Sequence, residues 1–171
     1  MVFCGDDHVG TYWLGPSDFG EPAVGPIVDR LVRQVLIDGI RVASRPDGEG
    51  VTGIPSLFWV EGYDGQPITA TEEAFGLSVT VTARLQAVEW DFGDGSPKVR
   101  AGLGEAWPEH SSVRHNYSHR TQPGQPYVVT ASLVLDTSFS VNGQPATSLP
   151  SITRLGELEF HVGEIQAVRN R

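Results

Sequence analysis

Glu89-Trp90-Asp91-Phe92-Gly93-Asp94-Gly95-Ser96 joins the end of a strand to a turn that only glycine and small polar residues can make. Val88, Trp90 and Phe92 alternate with Glu89 and Asp91, so one side of the segment suits an apolar interior and the other suits water. Gly93 and Gly95 can adopt positive φ, and the Asp94 carboxylate between them can accept backbone N–H groups and close the turn. The stretch therefore predicts a sheet core with Trp90 walled inside it.

The flanking chain carries the same two-residue period. Leu77, Val79, Val81, Ala83 and Leu85 share one side of a predicted strand, with Ser78, Thr80, Thr82, Arg84 and Gln86 on the other. From Tyr127 to Val141 the alternation Tyr127, Val129, Ala131, Leu133, Leu135 leads to Asn142-Gly143, a favoured hairpin turn. Ile152 and then Leu158, Phe160 and Val162 carry the chain back, with Gly163 expected as a bulge before Ile165, Ala167 and Val168 finish the sheet. Leu57–Val60 reads as a short apolar strand ahead of an Asp64-Gly65-Gln66-Pro67 turn.

Towards the N-terminus the period changes. Ile27, Leu31 and Val35, flanked by Val28 and Val32, predict an amphipathic helix beginning near Pro26, with Gly39 as its C-cap. A short strand over Ile40–Ala43 and a loop over Pro46–Gly50 follow. The expected division is an arm, helix and linker over residues 1–50 and a β-sandwich over residues 51–171. Tyr12, Trp13 and Phe19 lie in the irregular arm, where three large rings mark a candidate contact surface. The fold class is mainly β: an immunoglobulin-like antiparallel sandwich preceded by the arm and one amphipathic helix.

Composition narrows the function. The 171 residues include 20 Gly and 12 Pro, which suits many short strands joined by turns. A formal net charge of −9 repels phosphate backbones and anionic lipid, so neither a nucleic acid partner nor direct membrane insertion is expected. Cys4 is the sole cysteine, which excludes an internal disulfide and a multi-thiolate zinc site. Met1–Cys4 lacks the basic and apolar regions of a secretory signal, so any leader or anchor is expected to lie outside this chain.

Two separated pieces resemble the polycystic-kidney-disease (PKD) domain family. These are the Trp90-Asp91-Phe92-Gly93-Asp94-Gly95 strand and turn, and His115-Asn116-Tyr117 followed by Tyr127-Val128-Val129-Thr130. The wider layout, including Ile54-Pro55-Ser56-Leu57-Phe58-Trp59-Val60, is similar to that of uncharacterised actinobacterial PKD-domain proteins. The resemblance implies a sandwich in which Trp90 and Tyr117 are core residues, Tyr127 belongs to the fold motif, and Asp91, Asp94 and His115 hold turns. It also implies a secreted or envelope-associated interaction module, with a cytoplasmic location left open.

Candidate chemistry is sparse. His110, His115 and His119 near Glu105 and Glu109 invite a zinc reading, but His115 and His119 lack the intervening Glu of His-Glu-x-x-His and sit in strand and loop territory. Asp91 and Asp94 lack the acidic spacing of an EF-hand loop, and turn capping accounts for them, with calcium left open. There is no Gly-x-Ser-x-Gly elbow and no phosphate-cradling glycine loop. No cofactor, metal or catalytic residue is expected. The loop from Pro97 to Ser112 carries Leu103, Trp107 and Pro108, which makes Trp107 and Leu103 candidate partner contacts beside Tyr12 and Trp13. The expected function is a non-catalytic module contacting a protein or glycan. The alternatives are a subunit of a surface or secretion assembly, oligomeric through the arm and helix, and a metal-dependent hydrolase using His110–His119.

Overall fold

The computed structural model describes residues 24–164. Tyr12, Trp13, Cys4 and the expected final strand at Ile165–Val168 lie outside them. Among the described residues one helix, α1 (Val24–Gln34), precedes nine strands: β1 (Arg41–Arg45), β2 (Glu49–Val51), β3 (Ser56–Glu61), β4 (Ile68–Ala74), β5 (Leu77–Asp91), β6 (Val99–Ala101), β7 (Val113–His115), β8 (Tyr127–Val141) and β9 (Thr147–Gly163).

The strands form two sheets. One is six-stranded in the order β2-β9-β8-β5-β4, with β6 added beside β5, and the other is three-stranded in the order β1-β3-β7. All pairings are antiparallel except β2 with β9, which run parallel and depart from the all-antiparallel expectation.

The alternating stretch at Leu77–Leu85 and the Trp90 motif belong to the same strand. Their inward residues are odd-numbered before Gln86 and even-numbered after it, because β5 pairs Leu85 with Leu135 but Ala87 with Val134. The extra residue at Gln86 keeps Val88 and Trp90 on the face already begun by Val79 and Val81. A second irregularity lies level with it across β8, where Leu135 pairs with Ile152 and Thr137 with Leu149. Pro150 has no N–H for the ladder, and the buried Thr137 hydroxyl donates to the Pro150 carbonyl at 2.7 Å. The β9 bulge thus sits at Pro150–Ser151, whereas Gly163 ends the strand.

That level divides the inner face. On one side of it, the three-stranded sheet covers Val88, Trp90, Val129, Ala131, Leu133, Phe160 and Val162 with Val42, Phe58, Val60 and Val113. On the other, α1 covers Val79, Val81, Ala83 and Leu135 with Ile27, Val28, Leu31 and Val35. Ile40 and Tyr63 touch both clusters. The helix's apolar stripe is therefore used by its own sheet, and Asp29, Arg30, Arg33 and Gln34 face water. Gly39 has φ of 74° but lies beyond the helix end at Gln34, so it turns the chain rather than capping α1.

The loop over Pro46–Gly48 has sheet on both sides: β1 pairs with β3, and β2 with β9. Gly156 lets β1 lie close over β9, since a Cβ there would come within 2.9 Å of Ile40 Cγ2 and 3.3 Å of the Arg41 carbonyl carbon. β4 was not legible as a strand: its inward residues Ile68, Ala70, Glu72 and Ala74 carry too little apolar contrast with Thr69, Thr71 and Glu73.

Candidate functional site

The Trp90 motif is scaffolding. Trp90 is fully buried, and its indole Nε1 donates to the Gly102 carbonyl at 3.0 Å. Phe92 stacks on the His115 imidazole with 4.1 Å between centroids, and Tyr117 meets the same imidazole edge-on. The Tyr117 hydroxyl donates to the Phe92 carbonyl at 3.2 Å, and burial pushes its pKa well above the ordinary phenol value. Tyr127 stacks on Tyr117, and its hydroxyl donates to the His119 carbonyl at 3.3 Å.

The motif's carboxylates hold turns. Asp91 Oδ1 accepts the Gly93 N–H at 2.9 Å, and Asp94 Oδ1 accepts the Ser96 N–H at 3.0 Å. The second Asp94 oxygen lies 2.8 Å from His115 Nε2, which fastens the turn to β7. Burial pushes the Asp94 carboxyl pKa upward, but the bonds from Ser96 and His115 outweigh it and leave the group below the usual carboxylate range. At Gly93 the φ of 74° and the close approach of the chain both require glycine: a Cβ would fall 2.6 Å from the Val128 carbonyl oxygen.

His110 and His119 are exposed, while His115 is engaged with Asp94. Among the described residues no three His, Cys, Asp or Glu side chains converge as a metal site, so the zinc grouping is not assembled. Nor is any described helix long and apolar enough to cross a membrane.

The open chemistry lies across the outer side of the small sheet. β6 interrupts the loop expected over Pro97–Ser112, leaving Gly102–Ser112 as the segment that carries Trp107. Both ends of this segment are fastened to β3. Val60 N–H donates to the Leu103 carbonyl at 2.8 Å, and the buried Ser111 hydroxyl donates to the Phe58 carbonyl at 2.5 Å. Ser111 Oγ also accepts from Glu105 N–H and Val113 N–H. Leu103 packs against the core and is half-buried, which anchors the segment.

Trp107, at the turn of this segment, is 49% exposed. The Arg45 guanidinium stands 4.8 Å from its ring centroid, a cation–π contact. Together they edge a cleft of about 500 Å³ whose walls include Arg41, Ala43, Trp59, Glu61 and Leu158. Arg41, Ala43 and Arg45 lie opposite Glu61, Trp59 and Leu57 in the β1–β3 register, so a single face of this pair supplies most of the cleft. Arg41 is 3.6 Å from Glu61, while Trp59 is buried and directs its Nε1 at the same carboxylate. An indole with guanidinium and carboxylate groups around it suits stacking combined with hydrogen bonding.

The chain matches no protein-family model, no curated protein and no solved structure.

Sequence reasoning singled out Trp107 but missed Arg41, Arg45 and Trp59. The usable signal was Arg41-Val42-Ala43-Ser44-Arg45, which alternates around Val42 and Ser44 and would place both arginines on one face if read as a strand.

Proposed function

We propose that this protein is a non-catalytic interaction module of the extracellular space or cell envelope, contacting a protein or glycan through the Trp107 cleft. The observation that carries this reading is an exposed tryptophan held on a segment fastened at both ends, with Arg45 over its ring. Aromatic and Arg side chains of this kind are the usual anchors of binding surfaces. The motif carboxylates and His115, by contrast, are occupied in holding turns. An immunoglobulin-like sandwich of PKD type fits the two-layer aromatic core and the Trp90–Gly95 turn, with the parallel β2–β9 pair as a local departure.

Placing a photo-crosslinking residue at the exposed Glu109, two positions beyond Trp107, in the source cells tests both partner and compartment. A defined envelope protein or glycan captured from that position supports the reading, and capture of cytosolic proteins alone overturns the envelope assignment. Trp107→Ala should abolish that capture with the melting temperature unchanged. A large fall in melting temperature would instead make Trp107 a cover for the sheet.

A further inference from the structure

The charged groups around Trp107 are of two opposite kinds. Arg41 and Arg45 can only donate hydrogen bonds, whereas the carboxylates of Asp47 and Glu61 can only accept them. All four line the same cleft, so its formal charges cancel. Between the two arginines on β1 stands Ala43, directly across from Trp59 in the β1–β3 register. The small side chain at that place leaves a hollow beside the Trp59 indole. Contacts within the cleft leave its polar groups accessible among the described residues. Arg41 stands 3.6 Å from Glu61, with 75% and 45% of the two side chains exposed, and the other Glu61 oxygen accepts from Trp59 Nε1 at 3.4 Å.

This balance separates the classes of ligand. An anion is attracted by the arginines and repelled by the carboxylates, and the chain's net charge of −9 adds to the repulsion. A cation, or the cationic end of a zwitterion, would seek the exposed indole, where the Arg45 guanidinium already stands 4.8 Å from the ring centroid. A wholly apolar side chain would strip water from four charged groups and bond to none of them. A neutral sugar meets both demands. Each hydroxyl donates and accepts, so one ring can bond to a guanidinium and a carboxylate together, while its C–H face lies against an indole. The cleft, at about 500 Å³, falls within the roughly 300–1,000 Å³ usual for small ligands, which gives room for a short run of sugar units.

We infer that the Trp107 cleft takes a neutral carbohydrate chain, with one ring against Trp107 and its hydroxyls shared between Arg41 and Glu61. This rests on the cleft being a partner site, and narrows its partner from protein or glycan to uncharged glycan.

Affinity electrophoresis of the full chain tests it, in native gels cast with hydroxyethylcellulose, soluble starch, galactomannan or glycol chitin, and with polygalacturonate as the anionic control. At least one neutral polymer should retard the wild type, and polygalacturonate should not. Titration with oligosaccharides of the retarding polymer should give an affinity that holds between ~0.05 and ~0.5 M salt, since no net charge is paired. Trp107→Ala should weaken it at least about tenfold with an unchanged melting temperature. If that variant is destabilised, Arg41→Ala and Glu61→Gln, both at exposed side chains, carry the test and should each weaken binding several-fold. No retardation by any neutral polymer, retardation by polygalacturonate instead, an affinity that falls steeply with salt, or wild-type affinity in these variants would each overturn the inference. A protein captured from position 109 with no neutral polymer bound would remove the glycan assignment and leave the cleft as a protein site. Absence of both would remove the cleft reading as well.

Discussion

The two halves of the long sheet's inner face are made from the same strands and covered in opposite ways. At the Trp90 end the cover is a three-stranded sheet, and the core between the layers is aromatic and cross-linked by hydrogen bonds from Trp90, Tyr117 and Ser111. At the other end the cover is α1, and the core is aliphatic, made of Ile27, Val28, Leu31, Val35, Val79, Val81, Ala83 and Leu135. A helix brings its backbone bonds with it and needs only an apolar stripe on its partner. The short strands and loops of the small sheet leave carbonyls without a ladder partner, and side chains must reach them. The change of cover falls at the level of the Gln86 and Pro150–Ser151 bulges, where the added local twist re-aims the long strands.

The contrast predicts a graded response to mutation. Trp90→Ala should have the largest effect, about 3–5 kcal/mol by chemical denaturation, because it empties the centre of the aromatic half and leaves the Gly102 carbonyl unpaired. If that variant does not fold, Trp90→Phe keeps the test open: it should fold with a smaller loss, and equal stability to wild type would contradict the central place given to the indole. Leu31→Ala, in the aliphatic half, should cost about 3 kcal/mol. Its increase in amide exchange should concentrate in α1, β4 and the first part of β5, with β3 and β7 little changed. Uniform acceleration across both halves would mean that they open as one unit.

The aromatic half was the more legible in sequence, and for the same reason. Trp90, Gly93, Asp94, His115 and Tyr117 each answer a specific geometric demand, so their identities carry information individually. In the aliphatic half any residue of suitable size serves, and only periodicity speaks; it gave α1 and the first part of β5 but not β4, whose inward side carries two alanines and Glu72. The small strands β2, β6 and β7 have three residues each, too few to establish a period. Of the candidate site, Trp107 could be read because a large ring stood among small and charged residues. Its neighbours come from β1, β3 and β9, and only pairing brings them together.

Asp94 gives the smallest effect and adds a pH dependence to the aromatic half from a carboxylate within its turn network, whereas the lowered carboxyl of the aliphatic half, Glu72 beside Arg30, lies in a more exposed pair at its edge. The Asp94 carboxyl is held below the usual range in the fold, so it binds a proton less readily there than in the unfolded chain. Its contribution is therefore complete above the unfolded carboxyl value, near ~3.9 for Asp, and fades as pH falls through the lower folded value. Asp94→Ala should cost about 1–2 kcal/mol at neutral pH, through loss of the bonds to Ser96 N–H and His115. The penalty should shrink as acid protonates the wild-type carboxyl. Measured as the difference in denaturation free energy between the two proteins from neutral pH into the acid range, it should narrow steadily below pH ~4. A difference that stayed constant would mean that Asp94 acts through shape alone, and the turn would then be held by Gly93 and its close approach to Val128 instead of by charge.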